Sequence, residues 1–172
     1  GNAEFLINRG YKVETLSPDD FQKEAINEKF NGGVNFHHCK FEKFQPNKKY
    51  DLVLESESAC YININKGFEK AREALCKSGY LLASDYFIHF RDGSKSPHLR
   101  SSHDMDKYLN GAKKYGFELP NSDFVGFGDA QKRSIFASRI KYSQFFSTFS
   151  SESSTSIFWS TFSPESSTSR IK

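Results

Sequence analysis

The stretch that decides the fold is residues 50–63, YDLVLESESACYIN. Its first half is an apolar run led by an aromatic residue and an acid, which is typical of a parallel-sheet strand covered on both faces. Its second half places Glu-Ser-Glu-Ser directly after that run. In open α/β sheets, ligands bind beyond the carboxyl ends of the strands. The polar cluster at residues 55–58 therefore predicts a ligand-binding site.

The bulk composition limits the class of protein. The chain has 172 residues, enough for one domain with a substantial core. Its 24 basic and 21 acidic residues are interleaved, which gives no electrostatic argument for a nucleic-acid partner. Cys39, Cys60 and Cys76 are odd in number and lack zinc spacing, which favours reduced thiols. No apolar run approaches the ~20 residues of a membrane span, and the start shows no signal-peptide pattern. We therefore expect a cytoplasmic protein with no transmembrane segment.

Helical and extended patterns alternate along the chain. Helices are predicted at 2–9, 18–30, 64–77 and 103–115, and strands at 11–16, 34–39, 51–54, 80–84 and 117–119. Ser17 is predicted to cap the second helix, and Ser78-Gly79 to close the third. This alternation predicts an α/β fold with a doubly wound, mostly parallel sheet.

The character of the chain changes after residue 141. STFSSESSTS at residues 147–156 recurs as STFSPESSTS at 160–169, a period of 13 residues. Ser and Thr supply 15 of the 23 residues from 147 to 169, and such a segment buries too little to offset its ordering entropy. We expect residues 142–172 to be a disordered or loosely docked tail of a 1–141 domain. Aromatic residues that recur in step with the repeat leave a binding motif as the alternative.

Five ordered motifs carry a resemblance to a known family. They are AEFLINRGYKVETLSPDDFQ, FHHCKFEKF, YDLVLESESACYIN, AREALCKSGYLLASDYF and YLNGAKKYGFEL. Together they resemble the class I S-adenosylmethionine-dependent methyltransferases over residues 1–124. The small-molecule and lipid types are the most similar, including the tocopherol, sarcosine and cyclopropane-fatty-acid synthase relatives. The resemblance implies a Rossmann-like methyltransferase fold and S-adenosylmethionine as cofactor.

The chain departs from the family's pattern at three places. The family's first strand and glycine-rich loop are not visible, so the resemblance implies an N-terminally incomplete fold in which Gly1 would end that loop. Thr15 stands where many relatives carry an acid for the ribose hydroxyls. Cys39 stands where relatives often place an Asp near the adenine amino group.

The resemblance also implies roles for particular residues. The implied cofactor-binding set comprises the loop end, the ribose and adenine segments and the residues for the amino-acid part: Gly1, Thr15, Leu16, Ser17, Gln22, Cys39, Lys40, Phe41, Glu55 and Ser56. The implied acceptor pocket contains Glu57, Ser58, Tyr61, Asp85 and Tyr86. His89 and Tyr61 are the catalytic candidates, with His89 as a general base because imidazole titrates near neutrality.

Simpler structural roles compete with several of these assignments. Ser17 and Ser58 could only cap helices, Gln22 could be solvated, Phe41 could be core, and His89 could be a surface residue. Adjacent His37 and His38 point to opposite faces of a strand, so no shared metal site is expected.

The sequence favours methyl transfer to a small-molecule or lipid acceptor, with a homodimer left open. The alternative is a non-catalytic or truncated methyltransferase-like binding module. A dehydrogenase-like protein is a weaker third hypothesis, because no GxGxxG with a downstream acid is present.

Overall fold

A seven-stranded sheet with helices packed against it organises the described part of the chain, and two further short strands form a separate two-stranded sheet. The computed structural model describes residues 2–85, 87–88, 102–118, 134–140 and 156–161, the last two ranges by their backbone. The helices are α1 Asn2–Ile7, α2 Asp20–Phe30, α3 Ile64–Ala74 and α4 Met105–Lys114. The strands are β1 Lys12–Leu16, β2 Asn35–His37, β3 Tyr50–Ser56, β4 Leu75–Asp85, β5 Phe87–Ile88, β6 His103–Asp104, β7 Phe117–Glu118, β8 Ser134–Ile140 and β9 Ser156–Thr161. Two 3-10 turns, Phe41–Lys43 and Ala59–Tyr61, follow β2 and β3.

The main sheet has seven strands in the order β2-β1-β9-β3-β4-β8-β7, and β5 and β6 form the separate two-stranded sheet. The first five run parallel to their neighbours, while β8 pairs antiparallel with both β4 and β7. The chain moves outward from the centre in both directions, from β1 to β2 and from β3 to β4. This topology confirms the doubly wound, mostly parallel α/β fold that the alternating pattern predicted.

The core forms where α3 and α4 pack on one face of β3 and β4. Asn63 caps α3 by accepting a hydrogen bond from Lys66 N at 3.1 Å, which satisfies one of the helix's unpaired donors. Phe68 is 2% exposed, and its ring lies 4.8 Å from that of Tyr108 on α4. Burial of these aromatic rings contributes both transfer free energy and ring–ring attraction. The packing of α3 against α4 therefore fixes the position of α4 above the ends of the central strands.

Two local predictions for helix ends were wrong. Asp19, not Ser17, caps α2, because its carboxylate accepts from Phe21 N at 2.8 Å and Gln22 N at 3.2 Å. The Ser17 hydroxyl instead accepts from Asp19 N at 3.1 Å. Likewise α3 ends at Ala74, so Ser78-Gly79 lies within β4 and does not close a helix. A register shift between Tyr50 and Leu52 accommodates the early start of β4.

Ser156–Thr161 belongs to the main sheet. These six residues form β9, which lies between β1 and β3 in the sheet. The expectation of a disordered or loosely docked tail over residues 142–172 stays a prediction. Ile157, Phe158 and Trp159 have high strand propensity, and a gap between two strands leaves backbone groups to be paired on both sides. The division into a 1–141 domain and a tail stays a prediction.

No helix in the described part of the chain is long and apolar enough to cross a membrane.

Candidate functional site

The carboxyl ends of the central strands lie side by side at one edge of the sheet. Leu16 of β1 is in register with His37 of β2 and with Ser160 of β9. Ser160 is in turn in register with Glu55 of β3, which faces Ala83 of β4. The ends of β1 and β3 are thus two strand spacings apart, or about 10 Å. The structure brings the predicted segments 15–17, 39–41 and 55–58 to the same edge.

Glu55 is buried beneath this edge. Its side chain is 3% exposed, and its Oε2 accepts a hydrogen bond from the Tyr108 hydroxyl at 3.1 Å. Burial raises the pKa of Glu55 to about 7, the Tyr108 hydrogen bond opposes this rise, and the negative charges of Asp85 and Glu42 add to it. Burial also raises the pKa of Tyr108, with Glu55 adding to the rise. The carboxyl group therefore lies toward α4, and its predicted contact with a cofactor stays a prediction.

A small pocket adjoins this buried pair. It has a cavity volume of about 10 Å³ and lies between α3, α4 and the sheet. Apart from Glu55, Asn63 and Tyr108, its lining is apolar: Ala59, Ile62, Ile64, Gly67, Phe68 and Leu81. This volume is about that of a single water site and is far below what a small-molecule site needs. The pocket by itself is too small to enclose a nucleoside-sized ligand.

The turn after β3 has a special backbone conformation. Glu57 adopts φ +55°, in the left-handed region, and its N–H donates to Ser84 O at 2.8 Å. Its side chain is exposed, whereas that of Ser58 is 2% exposed. Ser58 precedes the 3-10 turn, but its side chain makes no capping hydrogen bond, so the capping alternative is wrong for Ser58. The strain at Glu57 fits a turn that is held for function.

Asp85 holds the next turn in place. It is 2% exposed, and its Oδ2 accepts from Cys60 N at 2.9 Å, which ties the end of β4 to the Ala59–Tyr61 turn. Burial and the charge of Asp85 raise the pKa of the Cys60 thiol to about 12. Burial raises the pKa of Tyr61 as well, with Cys60 and Asp85 adding to the rise. The Tyr61 hydroxyl thus stays protonated at neutral pH, and its ring is 41% exposed.

The end of β1 carries buried hydroxyl residues. Thr15 is 2% exposed and Ser17 0% exposed. The Thr15 hydroxyl donates to Asn35 O at a long 3.5 Å, and Ser17 N donates to His37 O at 3.2 Å. Leu16 is also buried, and Gln22 is half-buried at the start of α2. These residues form a tight connection from β1 into α2 alongside β2.

The end of β2 offers one exposed and one core residue. Lys40 is exposed and Cys39 is half-buried, with burial raising the pKa of the Cys39 thiol. Phe41 is 2% exposed and packs in the main core, as the core alternative proposed. The predicted residues Gly1, Tyr86 and His89 lie outside the described residues.

Sequence reasoning missed a second, partly buried cluster around the Glu14 carboxylate. Glu14 Oε2 accepts hydrogen bonds from His37 at 2.6 Å, Tyr50 at 2.9 Å and Asn35 at 3.1 Å, and Glu14 also pairs with Lys48. Burial alone would raise the pKa of Glu14, but the bonds from Lys48, His37 and Tyr50 hold it below its usual value. The sequence feature that could have indicated this cluster is an acidic residue, Glu14, at the centre of the short strand β1.

Comparison with known proteins connects this fold to one enzyme class. No protein-family model matches the sequence, and no curated protein is significantly similar to it. Among solved structures, geranyl diphosphate C-methyltransferase from Streptomyces coelicolor A3(2), crystallised with S-adenosyl-L-homocysteine, superimposes with a TM-score of 0.69 at 14% identity. The match covers 82% of this chain and 66% of that enzyme, so the chain spans less than two thirds of its length.

Two further structures are similar. A TehB-like S-adenosylmethionine-dependent methyltransferase from Corynebacterium glutamicum matches at a TM-score of 0.62 and 14% identity, over 80% of this chain and 72% of that one. The [4+2]-cyclase SpnF matches at 0.60 and 11% identity, over 79% and 69%. The chain therefore has the methyltransferase-type Rossmann-like fold. The resemblance stated from the five motifs is confirmed at the level of the fold.

Proposed function

We propose that this protein binds S-adenosylmethionine across the carboxyl ends of β1 and β3 and supports methyl transfer to a small-molecule or lipid acceptor. The observation that carries the proposal is the clustering of polar segments 15–17, 39–41 and 55–58 at the point where the chain winds outward in both directions. Ligands of doubly wound sheets bind at such a switch point. Similar folds crystallised with the demethylated cofactor support the same ligand.

The residues at this edge fit the parts of the cofactor. The segment Thr15-Leu16-Ser17 would hold the ribose, since the connection into α2 presents hydroxyl and backbone groups there. Residues 39–41 would flank the adenine, with Lys40 as their exposed member. The Ser56 hydroxyl, which accepts from Asn2 Nδ2 at 3.0 Å, would face the amino-acid part. Glu55 would lie beneath the amino-acid part of the cofactor. Gln22 and Gly1 would complete the proposed cofactor-binding site.

The turn at residues 57–61 would bind the acceptor. Glu57 and Tyr61 are exposed there, and Ser58 lies buried beneath them. Since its pKa is raised, Tyr61 would donate a hydrogen bond to the acceptor and would not remove a proton. Asp85 holds the turn through Cys60 N and is thus a positioning residue. Tyr86 and His89 follow β4 in sequence and complete the proposed acceptor side, with His89 as base.

The bound cofactor would supply an electrophilic methyl group on a sulfonium sulfur. Transfer of that methyl group to the acceptor would release the rest of the cofactor as a neutral thioether. Because a neutral group departs, the chain's main tasks are alignment and exclusion of water. The buried connection at 15–17 and the strained turn at Glu57 are both rigid enough to align two ligands.

Calorimetry with S-adenosylhomocysteine tests the cofactor half of the proposal. We expect saturable binding to the full chain, and Ser56→Ala should weaken it by roughly 2- to 10-fold, the worth of one hydrogen bond. The matched control is Ser78→Ala. Ser78 is an exposed serine of β4, the strand that pairs with β3, but it lies near the amino end of that strand, away from the proposed ligand site. Absence of binding at millimolar ligand would refute the proposal.

The alternative is a non-catalytic module with the same fold. Fold does not fix chemistry, as the similar [4+2]-cyclase illustrates, so methyl transfer has to be tested separately from cofactor binding. Transfer of a labelled methyl group to geranyl diphosphate, sarcosine and a lipid extract separates the two. Binding of S-adenosylhomocysteine without transfer to any of these acceptors would favour the module.

A further inference from the structure

The turn that follows β3, residues 58–63, contains four successive backbone N–H groups that each have an acceptor. The inner two groups bond within the turn, Tyr61 N to Ser58 O and Ile62 N to Ala59 O, both at 3.1 Å. The outer two groups donate to carboxylates from other parts of the chain. Asp85 at the end of β4 accepts from Cys60 N at 2.9 Å, and Glu42 Oε1 accepts from Asn63 N at 3.1 Å. Side chains from outside the turn therefore hold it at both ends.

Glu42 belongs to the 3-10 turn Phe41–Lys43, which directly follows the residues proposed to flank the adenine. Phe41 and Phe44, on either side of it, are each 2% exposed, so this turn is anchored in the core. The half-buried Glu42 side chain reaches from there to the amino end of α3. A carboxylate that accepts from a backbone N–H makes a stronger hydrogen bond than a neutral acceptor does, and the start of a helix favours its negative charge.

We propose that Glu42 is a positioning residue that fixes turn 58–63 relative to the adenine segment, which is residues 39–41. Glu42 acts through the backbone of Asn63, and it joins the segment proposed for the cofactor to the turn proposed for the acceptor. Its effect on alignment rests on the proposed function, whereas its hold on the turn does not. Methyl transfer needs the reacting atoms at a short, fixed distance, so a link between the two segments should raise the rate of the chemical step.

Contact of a ligand with the adenine segment should restrain the 3-10 turn that follows this segment. Because Glu42 extends from the 3-10 turn to Asn63, that restraint should pass to the end of turn 58–63 nearest α3. Asp85 comes from β4 and holds the other end of the turn at Cys60. Ligand binding should therefore slow hydrogen exchange at the Asn63 amide more than at the Cys60 amide.

Loss of the Glu42 carboxylate should leave the fold intact. Asn63 is exposed, so its freed N–H can donate to water. The Asn63 side chain would still cap α3, because it accepts from Lys66 N at 3.1 Å. The positioning role of Glu42 can therefore be measured in a folded protein.

Amide hydrogen exchange in the full chain tests whether Glu42 holds the turn. Glu42→Ala should speed exchange at the Asn63 amide by about tenfold or more, and Glu42→Gln, whose amide oxygen can still accept, should keep it within about threefold of wild type. Lys43→Ala, at an exposed neighbouring position in the same 3-10 turn, is the matched control and should change nothing. Slow exchange at the Leu82 amide of β4 would show that the sheet remains folded.

Saturating S-adenosylhomocysteine tests the link to the proposed function. In the wild type and in Glu42→Gln, the ligand should slow exchange at the Asn63 amide by about threefold or more. In Glu42→Ala, calorimetry should show binding within about threefold of wild type, but the slowing at Asn63 should be lost. Where geranyl diphosphate, sarcosine or the lipid extract is methylated, Glu42→Ala should lower kcat about tenfold and leave KM for S-adenosylmethionine within about threefold, and Glu42→Gln should restore most of the rate.

A pair of substitutions at Asn63 isolates the hydrogen bond itself. Asn63→Ala and Asn63→Pro both remove the side-chain cap, but only proline also removes the N–H, and the φ of −61° at Asn63 suits proline. Adding Glu42→Ala should speed exchange at the Ile62 amide by about threefold in Asn63→Ala and should have no effect in Asn63→Pro.

Unchanged exchange at Asn63 in Glu42→Ala, equal effects of Glu42→Ala in the two Asn63 backgrounds, or slowing by the ligand that persists without Glu42 would each overturn the inference. Fast exchange at Leu82 in Glu42→Ala would show a purely structural role and would overturn it as well. If the wild type does not bind S-adenosylhomocysteine, the proposed function fails, and faster exchange at Asn63 in Glu42→Ala would still support the hold of Glu42 on the turn.

Discussion

The buried carboxyl group of Glu55 makes the stability of this protein depend on pH. Its pKa is raised from an ordinary value of 4.5 to about 7, first of all by burial. The folded state therefore holds a proton on Glu55 between these two pH values, while the unfolded state has released it. Stability from this group is fully present below pH 4.5 and is lost as pH rises through 7. The loss amounts to about 3 kcal/mol in total, of which about 2 to 3 kcal/mol falls between pH 5 and 8.

Glu55→Gln removes this titration and keeps the shape. The amide oxygen can still accept from the Tyr108 hydroxyl, which now donates to Glu55 Oε2 at 3.1 Å. Urea unfolding at pH 5, 6, 7 and 8 should show the wild type losing about 2 to 3 kcal/mol relative to the variant across this range. Glu69→Gln, at an exposed position of α3, is the matched control and should follow the wild type. A difference between wild type and Glu55→Gln that stays constant within about 0.5 kcal/mol would refute the reasoning.

Three further substitutions test other parts of the structure. Glu14→Gln should cost about 1–3 kcal/mol at pH 7 in urea unfolding, because it weakens a partly buried charged network. Since the pKa of Glu14 is lowered in the fold, the cost should shrink as pH falls below 4.5. Gly111→Ala should lower the free energy of unfolding by about 1–3 kcal/mol, seen as a lower melting temperature, because a Cβ there would lie 2.4 Å from Ile64 Cγ2. The control Asn110→Ala, on the exposed face of α4, should leave the melting temperature unchanged. Asp19→Ala should cost about 1 kcal/mol and speed amide exchange in the first turn of α2, and an unchanged exchange rate would contradict its role as cap.

The sequence was most informative where local pattern and burial agree. The alternation of helical and extended patterns predicted a doubly wound, mostly parallel sheet, and the apolar run before Glu55 predicted a strand covered on both faces. These predictions hold because a strand buried on both faces leaves a continuous apolar pattern. Helix ends were less predictable, since Ser17 and Asp19 are both good caps and only the backbone path decides between them.

Two features depended on contacts that no local pattern encodes. The Ser-rich composition around residues 156–161 indicates disorder, but two unpaired strand edges outweigh that preference by pairing with a short aromatic segment. Tyr108 lies within the predicted helix 103–115, yet its bond to Glu55 joins residues 53 positions apart, which no local pattern indicates. The same holds for Glu14, whose partners Tyr50 and His37 come from separate strands.

The two halves of the candidate site are built to different degrees of rigidity. The turn after β3 is fixed from two directions, because Asp85 holds Cys60 N from β4 and Ser84 O accepts from Glu57 N. Beneath it, Tyr108 on α4 holds Glu55, and all of these contacts are independent of β9. The distance from this turn to the end of β1, by contrast, is set by β9 alone among the described strands.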